Sequence, residues 1–267
     1  MQLLKGIFHV HSLYSYDASV SLADWKVLFK SEGLAFAVLT EHSKDFTDDS
    51  YRRYLQECLY LSDDEFSFIP AVEYNCNEGI ELISVGTDSL IKSSSASDII
   101  DITGKNGGIT ILPHPVKFRH IPFNILRNLD GVELWNSHYN EKYAFRIKNY
   151  IVFRKLRDIN NHILPFAGID AHSESDYVNL HLFVNAIALN TKEIIKGLKS
   201  GDYYIKKGSL IINSRADINK FDLFIYGLII GPVYRIIKFF LKKMWKLLEV
   251  SGVKFPDNFR RKVKKIF

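Results

Sequence analysis

The chain has 267 residues, is 47% hydrophobic and carries a formal net charge of +5, which supplies one sizeable core and, at this length, a single barrel-sized domain. Its two cysteines, Cys58 and Cys76, exclude a disulfide-framed module and lack metal-site spacing. The charge is uneven: residues 220–267 hold twelve Lys or Arg against three Asp or Glu, a net of +9, while residues 1–219 keep 23 basic and 27 acidic residues, a net of −4, so the basic balance describes the tail alone.

In chain order, Met1 to Phe8 has neither the basic flank nor the long apolar core of an export signal, and a cytoplasmic location is expected. Lys5 to Val10 reads as a strand. Ser21 to Ser31 reads as a helix, with a serine cap, Asp24 in its first turn and Gly33 beyond its end. Ala35 to Thr40 is the next strand, Asp49 to Ser62 a helix, and Phe66 to Glu73 and Glu81 to Val85 are strands. A helix over Ser95 to Lys105 stops at Gly107-Gly108 and leads into strand Ile109 to Leu112. Then come strand Gly131 to Trp135, a long helix across Glu141 to Asn160, strand Ile163 to Gly168 and a helix over Thr191 to Ser200. Repeated βα units imply a parallel sheet, and polar clusters at several strand ends favour a closed barrel over an open one.

Those clusters are the informative feature. His9-Val10-His11 ends the first strand, and in extended chain residues two apart point to one side, so the outer pair can grip one ion or two neighbours. Alone, an H-x-H pair is more often solvated or hydrogen-bonded. Four further patches follow apolar runs in the same way: Thr40-Glu41-His42, Glu73, His114, and Asp170-Ala171-His172. Polar groups at the carboxyl ends of buried parallel strands are where barrel enzymes build their sites.

Taken together, these patches resemble the PHP (polymerase and histidinol phosphatase) superfamily over roughly residues 5–210. His9-Val10-His11-Ser12 with Tyr14-Ser15-Tyr16-Asp17 is similar to its first motif and Thr40-Glu41-His42 to its second, where Asp is usual before the His. Ala71-Val72-Glu73 falls at the bridging carboxylate, Pro113-His114-Pro115 at the A-H-P motif and Gly168-Ile169-Asp170-Ala171-His172 at the G-S-D-A-H motif. The resemblance implies an α/β fold, a distorted (β/α)7 TIM-like barrel over residues 1–215, and a metal-dependent phosphoesterase. It implies three divalent ions per chain, Zn, Mn or Fe: one held by His9, His11, Glu73 and Asp170, a second bridged by Glu73 and bound by His114, a third held by Asp17, His42 and His172. Glu73, Asp170 and His172 are the catalytic candidates. Where many relatives carry a histidine after the bridging Glu, this chain has Glu81, either an oxygen ligand that moves preference from zinc toward manganese or iron or an outward-facing polar residue. Glu41 is expected to orient ligands without binding metal.

Lys117, Arg119 and His120 follow His114 on a loop above the same face; with His138, Lys117 and Arg119 are candidates for holding substrate, and a plain surface charge cluster is the alternative. Divalent ions cancel the charge of a phosphate ester and activate water against it. The expected substrate is a small phosphorylated metabolite or a nucleotide, with nucleic acid entering only as substrate. Attack on an amide, or a scaffold recruited through its basic tail, are the competing readings.

That tail, residues 216–267, is expected to be a basic amphipathic helix. Leu223 to Tyr234 is uncharged but short for a bilayer span and interrupted by Pro232. Beyond it, Arg235, Lys238, Lys242 and Lys246 recur at helical spacing and leave Ile236, Ile237, Phe239, Phe240, Leu241, Met244, Trp245 and Leu248 for a broad apolar face. Packing on the barrel or a second subunit, peripheral contact of residues 221–250 with an anionic membrane, and nucleic-acid contact by Arg260, Arg261, Lys262, Lys264 and Lys265 all stay open.

Overall fold

The computed structural model describes residues 1–139, 142–251 and 256. Strands β1 (Gln2–Val10), β2 (Phe36–His42) and β3 (Ser67–Asn75) lie side by side in parallel, as do β5 (Ile109–Leu112), β6 (Gly131–Asn136) and β7 (Leu164–Gly168). Between the two sets runs β4 (Glu81–Val85), antiparallel to both β3 and β5. The helices on the outside are α1 (Leu22–Ser31), α2 (Asp48–Leu61), α3 (Ala96–Lys105), the short α4 (Phe123–Leu126), α5 (Ile147–Ile159) and α6 (Thr191–Ser200). Their starts are written in the sequence: the side chains of Ser21, Thr47, Ser95 and Asn190 each accept from a backbone N–H three residues on, satisfying donors that the first turn leaves unpaired.

The sheet curls and meets itself. The first half of β1 pairs antiparallel with β8 (His181–Ala186). Its second half reaches the end of β7, where Ile169 N donates to Phe8 O (3.0 Å) and His11 N to Ala171 O (2.9 Å). The interior of the curl is filled by Phe8, Phe36, Ile69, Ile83, Ile111 and Phe166, all 2% exposed or less. Outside it, Trp25 and Phe29 of α1 stack at 4.9 Å, and Trp25 Nε1 donates to His11 O (2.8 Å), tying the helix layer to the polar end of β1.

A regular set of seven βα units is not what the chain builds. β3 and β4 are joined by the turn Cys76–Ile80 with no helix between them, and three antiparallel strands, β8, β9 (Tyr203–Lys207) and β10 (Leu210–Asn213), extend the sheet beyond β1. The sequence analysis has no strand at these three places. The hairpin of β9 and β10 turns on Gly208-Ser209 with Gly208 at φ 57, a backbone that glycine adopts at no steric cost.

Two helix expectations also change. Glu141 lies outside the described residues, and α5 starts only at Ile147 because Ala144 and Phe145 turn inward, Phe145 packing edge-on to Trp135 at 5.8 Å. Pro232 does not interrupt the tail. An α-turn at Lys220–Asp222 runs into a π-helical stretch, Leu223–Ile230, and then an α-helix, Gly231–Val250. The wide turn, with Gly231 N bonded five residues back to Tyr226 O, absorbs the donor that Pro232 lacks. The basic cluster at residues 260–265 lies outside the described residues.

Candidate metal centre

Every sequence-predicted ligand sits at one end of the curled sheet. His42 and Glu73 are register partners on parallel strands, and His114, Asp170 and His172 follow β5 and β7 directly. Glu81 joins them because β4 is reversed: its first residue lies at the end where its neighbours finish, opposite Asn75. Asn75 is two residues from Glu73, so the three side chains share a face. Of the two readings of Glu81, the outward-facing one is thereby removed.

The distances are those of a cluster around small gaps. His9 Nε2 is 3.3 Å from Asp170 Oδ1 and 3.8 Å from Glu73 Oε1; His11 Nε2 is 3.5 Å from the same Asp170 oxygen. His114 Nε2 is 3.1 Å from Glu73 and 3.5 Å from Glu81. Asp17 Oδ1 stands 3.4 Å from His42 Nε2 and 3.6 Å from His172 Nε2. Donor atoms converge in overlapping sets, among them His9, His11 and Glu73; Glu73, Glu81 and His114; and His11, His42 and His172. His9 Nε2 and His11 Nε2 are buried with no hydrogen-bond partner, an arrangement that costs free energy unless something fills the gap.

Three of these residues, His9, His114 and Asp170, hold left-handed backbones with φ of 64°, 30° and 51°. Non-glycine residues rarely adopt this region, at about 1–3 kcal/mol each, and they concentrate at functional sites. At His9 the distortion is a bulge that shifts the register between Phe8 and Val10. The simple rule that residues two apart share a face therefore does not deliver the His9 and His11 pair. A bulge does, leaving the two rings 5.2 Å apart.

Glu133 is not among the site residues legible in the sequence. This carboxylate, buried in β6, accepts from His9 Nδ1 (2.7 Å), from His114 N (2.7 Å) and from Asn136 Nδ2 (2.8 Å). By accepting from Nδ1 it fixes the ring so that His9 Nε2 points toward Asp170 and Glu73. A charged residue within the apolar run Gly131 to Trp135 was the available signal. Gly168 belongs to the same device, because a Cβ there would collide with Glu133 Oε1 and His9 Cβ. Glu41 faces away from the cluster, accepting from Ser12 N, Ser12 Oγ (2.6 Å) and Ser15 Oγ (2.6 Å), and Ser15 Oγ lies 3.3 Å from His11 Nδ1. Through Ser15 it is linked to His11.

Electrostatics follow from the burial. Burial pushes the Glu73 and Asp170 carboxyls up, but bonds to His114 and His42 and the charge of His9 hold Glu73 well below the usual range, and His9 and His11 do the same for Asp170. Burial alone would lower His9; Asp170 and Glu133 overcome it and raise this imidazole to about 10. His11, with burial dominant, falls to about 4. One imidazole thus carries a proton where the carboxylates demand a cation.

A cleft of about 400 Å³ opens over the cluster, lined also by Tyr16, Lys44, Lys117, His138 and Tyr139. Lys117 Nζ binds both Glu81 oxygens (2.8 and 2.6 Å), and the His138 ring lies 5.8 Å from that of His172, tilted against it. Arg119 is exposed and does not line the cleft, since the loop turns it outward after the 3-10 turn Pro115–Lys117. Tyr139, 4.9 Å from the His114 ring, is a cleft residue that sequence analysis does not single out.

No family model and no curated protein matches the chain in sequence. Solved structures do. A two-domain Bacteroides vulgatus protein containing a predicted PHP-like metal-dependent phosphoesterase matches with TM-score 0.54 at 18% identity, covering 79% of this chain and 67% of that one. The fold is the PHP-like one. PsfC from Pseudomonas syringae superposes with TM-score 0.58 at 13% identity over 78% of this chain and 93% of that one. The lesion-specific endonuclease PfuEndoQ from Pyrococcus furiosus gives 0.52 at 16% identity, over 76% of this chain and 58% of that one. Within the PHP-like fold, the polar mouth described above is the end of the sheet at which this chain concentrates its histidines and acids.

Proposed function

We propose that the protein is a metal-dependent hydrolase of phosphate esters. The observation that carries this reading is the convergence of eight histidine and carboxylate side chains beneath one cleft, with Asp17 beside them 3.4 Å from His42, and with buried, unpartnered imidazole nitrogens at His9 and His11. Imidazoles and carboxylates suit divalent Zn, Mn or Fe, and the orphaned nitrogens fit a cation better than any arrangement of hydrogen bonds within the cluster. His9, His11, Glu73 and Asp170 would hold a first ion, Glu73, Glu81 and His114 a second, and Asp17, His42 and His172 a third. Bound divalent ions supply charge neutralisation and a lowered water pKa. The similarity in fold to a predicted PHP-like phosphoesterase and to an endonuclease supports the ester class.

The chain's own residues do the rest. Glu133 fixes the His9 tautomer, and Ser15, held by Glu41, fixes His11. Lys117 reaches the cleft as the mobile cation that can leave Glu81 for a phosphate oxygen, and His138 and Tyr139 form the wall against which the remainder of the substrate rests. A cleft of about 400 Å³ is the size that holds one small phosphorylated metabolite or nucleotide.

The test is elemental analysis of purified protein, followed by a metal-supplemented screen of phosphomonoesters, phosphodiesters, short oligonucleotides and an amide control. About three ions per chain and turnover of one ester class, lost on chelation, are expected. A metal-free preparation that retains activity, or turnover of the amide alone, would refute the proposal.

A further inference from the structure

The C-terminal helix presents a face that the barrel leaves uncovered. Val233, Ile236, Ile237, Phe240, Met244 and Leu247 are all exposed, and at about 100° per residue they fall within one arc of roughly 100°. Lys243 and Lys246, also exposed, lie along one flank of that arc, with exposed Lys242 further round; half-buried Tyr234, Leu241 and Trp245 lie along the other. From Lys220 to Leu248, 29 residues, the helix is long and apolar enough to cross a membrane by length and composition.

The start of this helix is fastened to the barrel. Leu223 and Tyr226 pack on the core, the Tyr226 and Ser209 hydroxyls are 3.1 Å apart, Gly227 abuts Ile147, and the Tyr234 ring lies 4.7 Å from Tyr143. Tyr143 and Ile147 belong to the connection that leaves β6 at the cleft. Tyr143 lies four positions along the chain from Tyr139, in the cleft wall, a reach of at most roughly 14 Å. The free apolar face is therefore carried by the same connection that lines the metal cluster.

We propose that this face lies in the plane of an anionic lipid bilayer, its apolar arc among the acyl chains and its lysines at the level of the lipid phosphates. Charge decides the occupant. Residues 220–267 carry a net +9, so a second copy seated on the arc would bring two strongly basic stretches together, whereas anionic headgroups complement them. Spanning is disfavoured because Arg235, Lys238, Lys242, Lys243 and Lys246 divide the apolar run well short of about 20 residues, and because its first turns are committed to the barrel.

Flotation of the full-length protein with vesicles tests this. It should float with phosphatidylcholine vesicles containing phosphatidylglycerol, and should bind at least ~10-fold less to phosphatidylcholine alone or when salt is raised from about 0.1 to about 1 M. Ile237→Glu combined with Phe240→Glu should weaken binding at least ~10-fold while leaving thermal unfolding and turnover of a soluble phosphate ester unchanged. Absence of binding to anionic vesicles overturns the proposal, and light scattering that shows a dimer broken by the same two substitutions would then assign the face to a second copy. Retention in membranes through alkaline carbonate extraction also overturns it, in favour of a span.

Discussion

At the ends of β1, β3 and β7 the chain buries His9, His11, Glu73 and Asp170, groups that folded proteins keep in water unless they are paired. Along the C-terminal helix it does the reverse, leaving Ile237, Phe240 and Leu247 in water. The mouth is over-determined: Glu133 holds His9 and the His114 backbone, Glu41 holds Ser12 and Ser15, and three backbones are kept left-handed against their preference. Among the described residues nothing covers the helix face. The contrast separates two ways of departing from the most stable fold, one in which the surroundings enforce an unfavourable arrangement and one in which they merely permit it. Only the first should be sensitive to small changes in geometry.

The largest effect is expected where enforcement is strongest. Asp170→Ala removes the carboxylate oxygen that faces both His9 and His11, and His9→Ala a side chain shared between two converging sets; loss of several kcal/mol of charge stabilisation corresponds to a fall of ~10³-fold or more in phosphoester turnover. Bound metal should fall with it in elemental analysis, and circular dichroism should show the sheet retained. If either variant kept full activity and metal, the cluster would be an ion-pair network with no catalytic part. Next comes Glu133→Gln, which keeps the shape but puts a donor where His9 Nδ1 and His114 N both donate. Metal affinity should drop about 10–100-fold, read by titration with a chromogenic chelator; unchanged affinity would make Glu133 a packing residue.

How much of this contrast the sequence contains depends on the range of the forces involved. Helix starts at Ser21, Thr47, Ser95 and Asn190 are local hydrogen-bond devices and are legible, as are apolar runs such as Phe36–Leu39 and Ile109–Leu112. The nine ligand candidates are legible because chemistry restricts them to His, Asp and Glu at strand ends. Glu133 is hidden because its partners are 124 and 19 residues away and a single acid in a buried strand has several explanations. The reversal of β4, which places Glu81, depends on which strands become neighbours, and β8 to β10 are short strands added in series, joined to the rest of the sheet through β8 on β1. The bulge at His9 answers to the site and not to any propensity of histidine.

A third prediction probes the proton that the mouth retains. With its pKa raised to about 10 by Asp170 and Glu133 against burial, His9 is protonated at neutral pH in the metal-free protein, and a cation must displace that proton to reach Nε2. Apparent metal affinity should therefore rise with pH by up to about tenfold per unit from pH 7 toward 10 and flatten above it. Calorimetry in two buffers of different ionisation enthalpy should count about one proton released per chain at pH 7, beyond any released by bound water. A pH-independent affinity would show that His9 is already neutral and that Glu133 alone holds its proton at Nδ1.

The smallest effect is expected on the helix, and its smallness is the point. Phe240→Ser and Ile237→Ser exchange exposed apolar groups for polar ones where the barrel makes no demand, so the stability of the protein in the absence of lipid should change by no more than about 0.5 kcal/mol for each. Replacing Trp25 with Ala, by contrast, removes a fully buried ring that stacks on Phe29 and caps His11 O, and should cost about 3–5 kcal/mol. Urea unfolding followed by fluorescence measures both. A loss of several kcal/mol at Phe240 or Ile237 would mean that their face is buried in solution, which would turn a permitted exposure into an enforced contact and remove the contrast between the two regions.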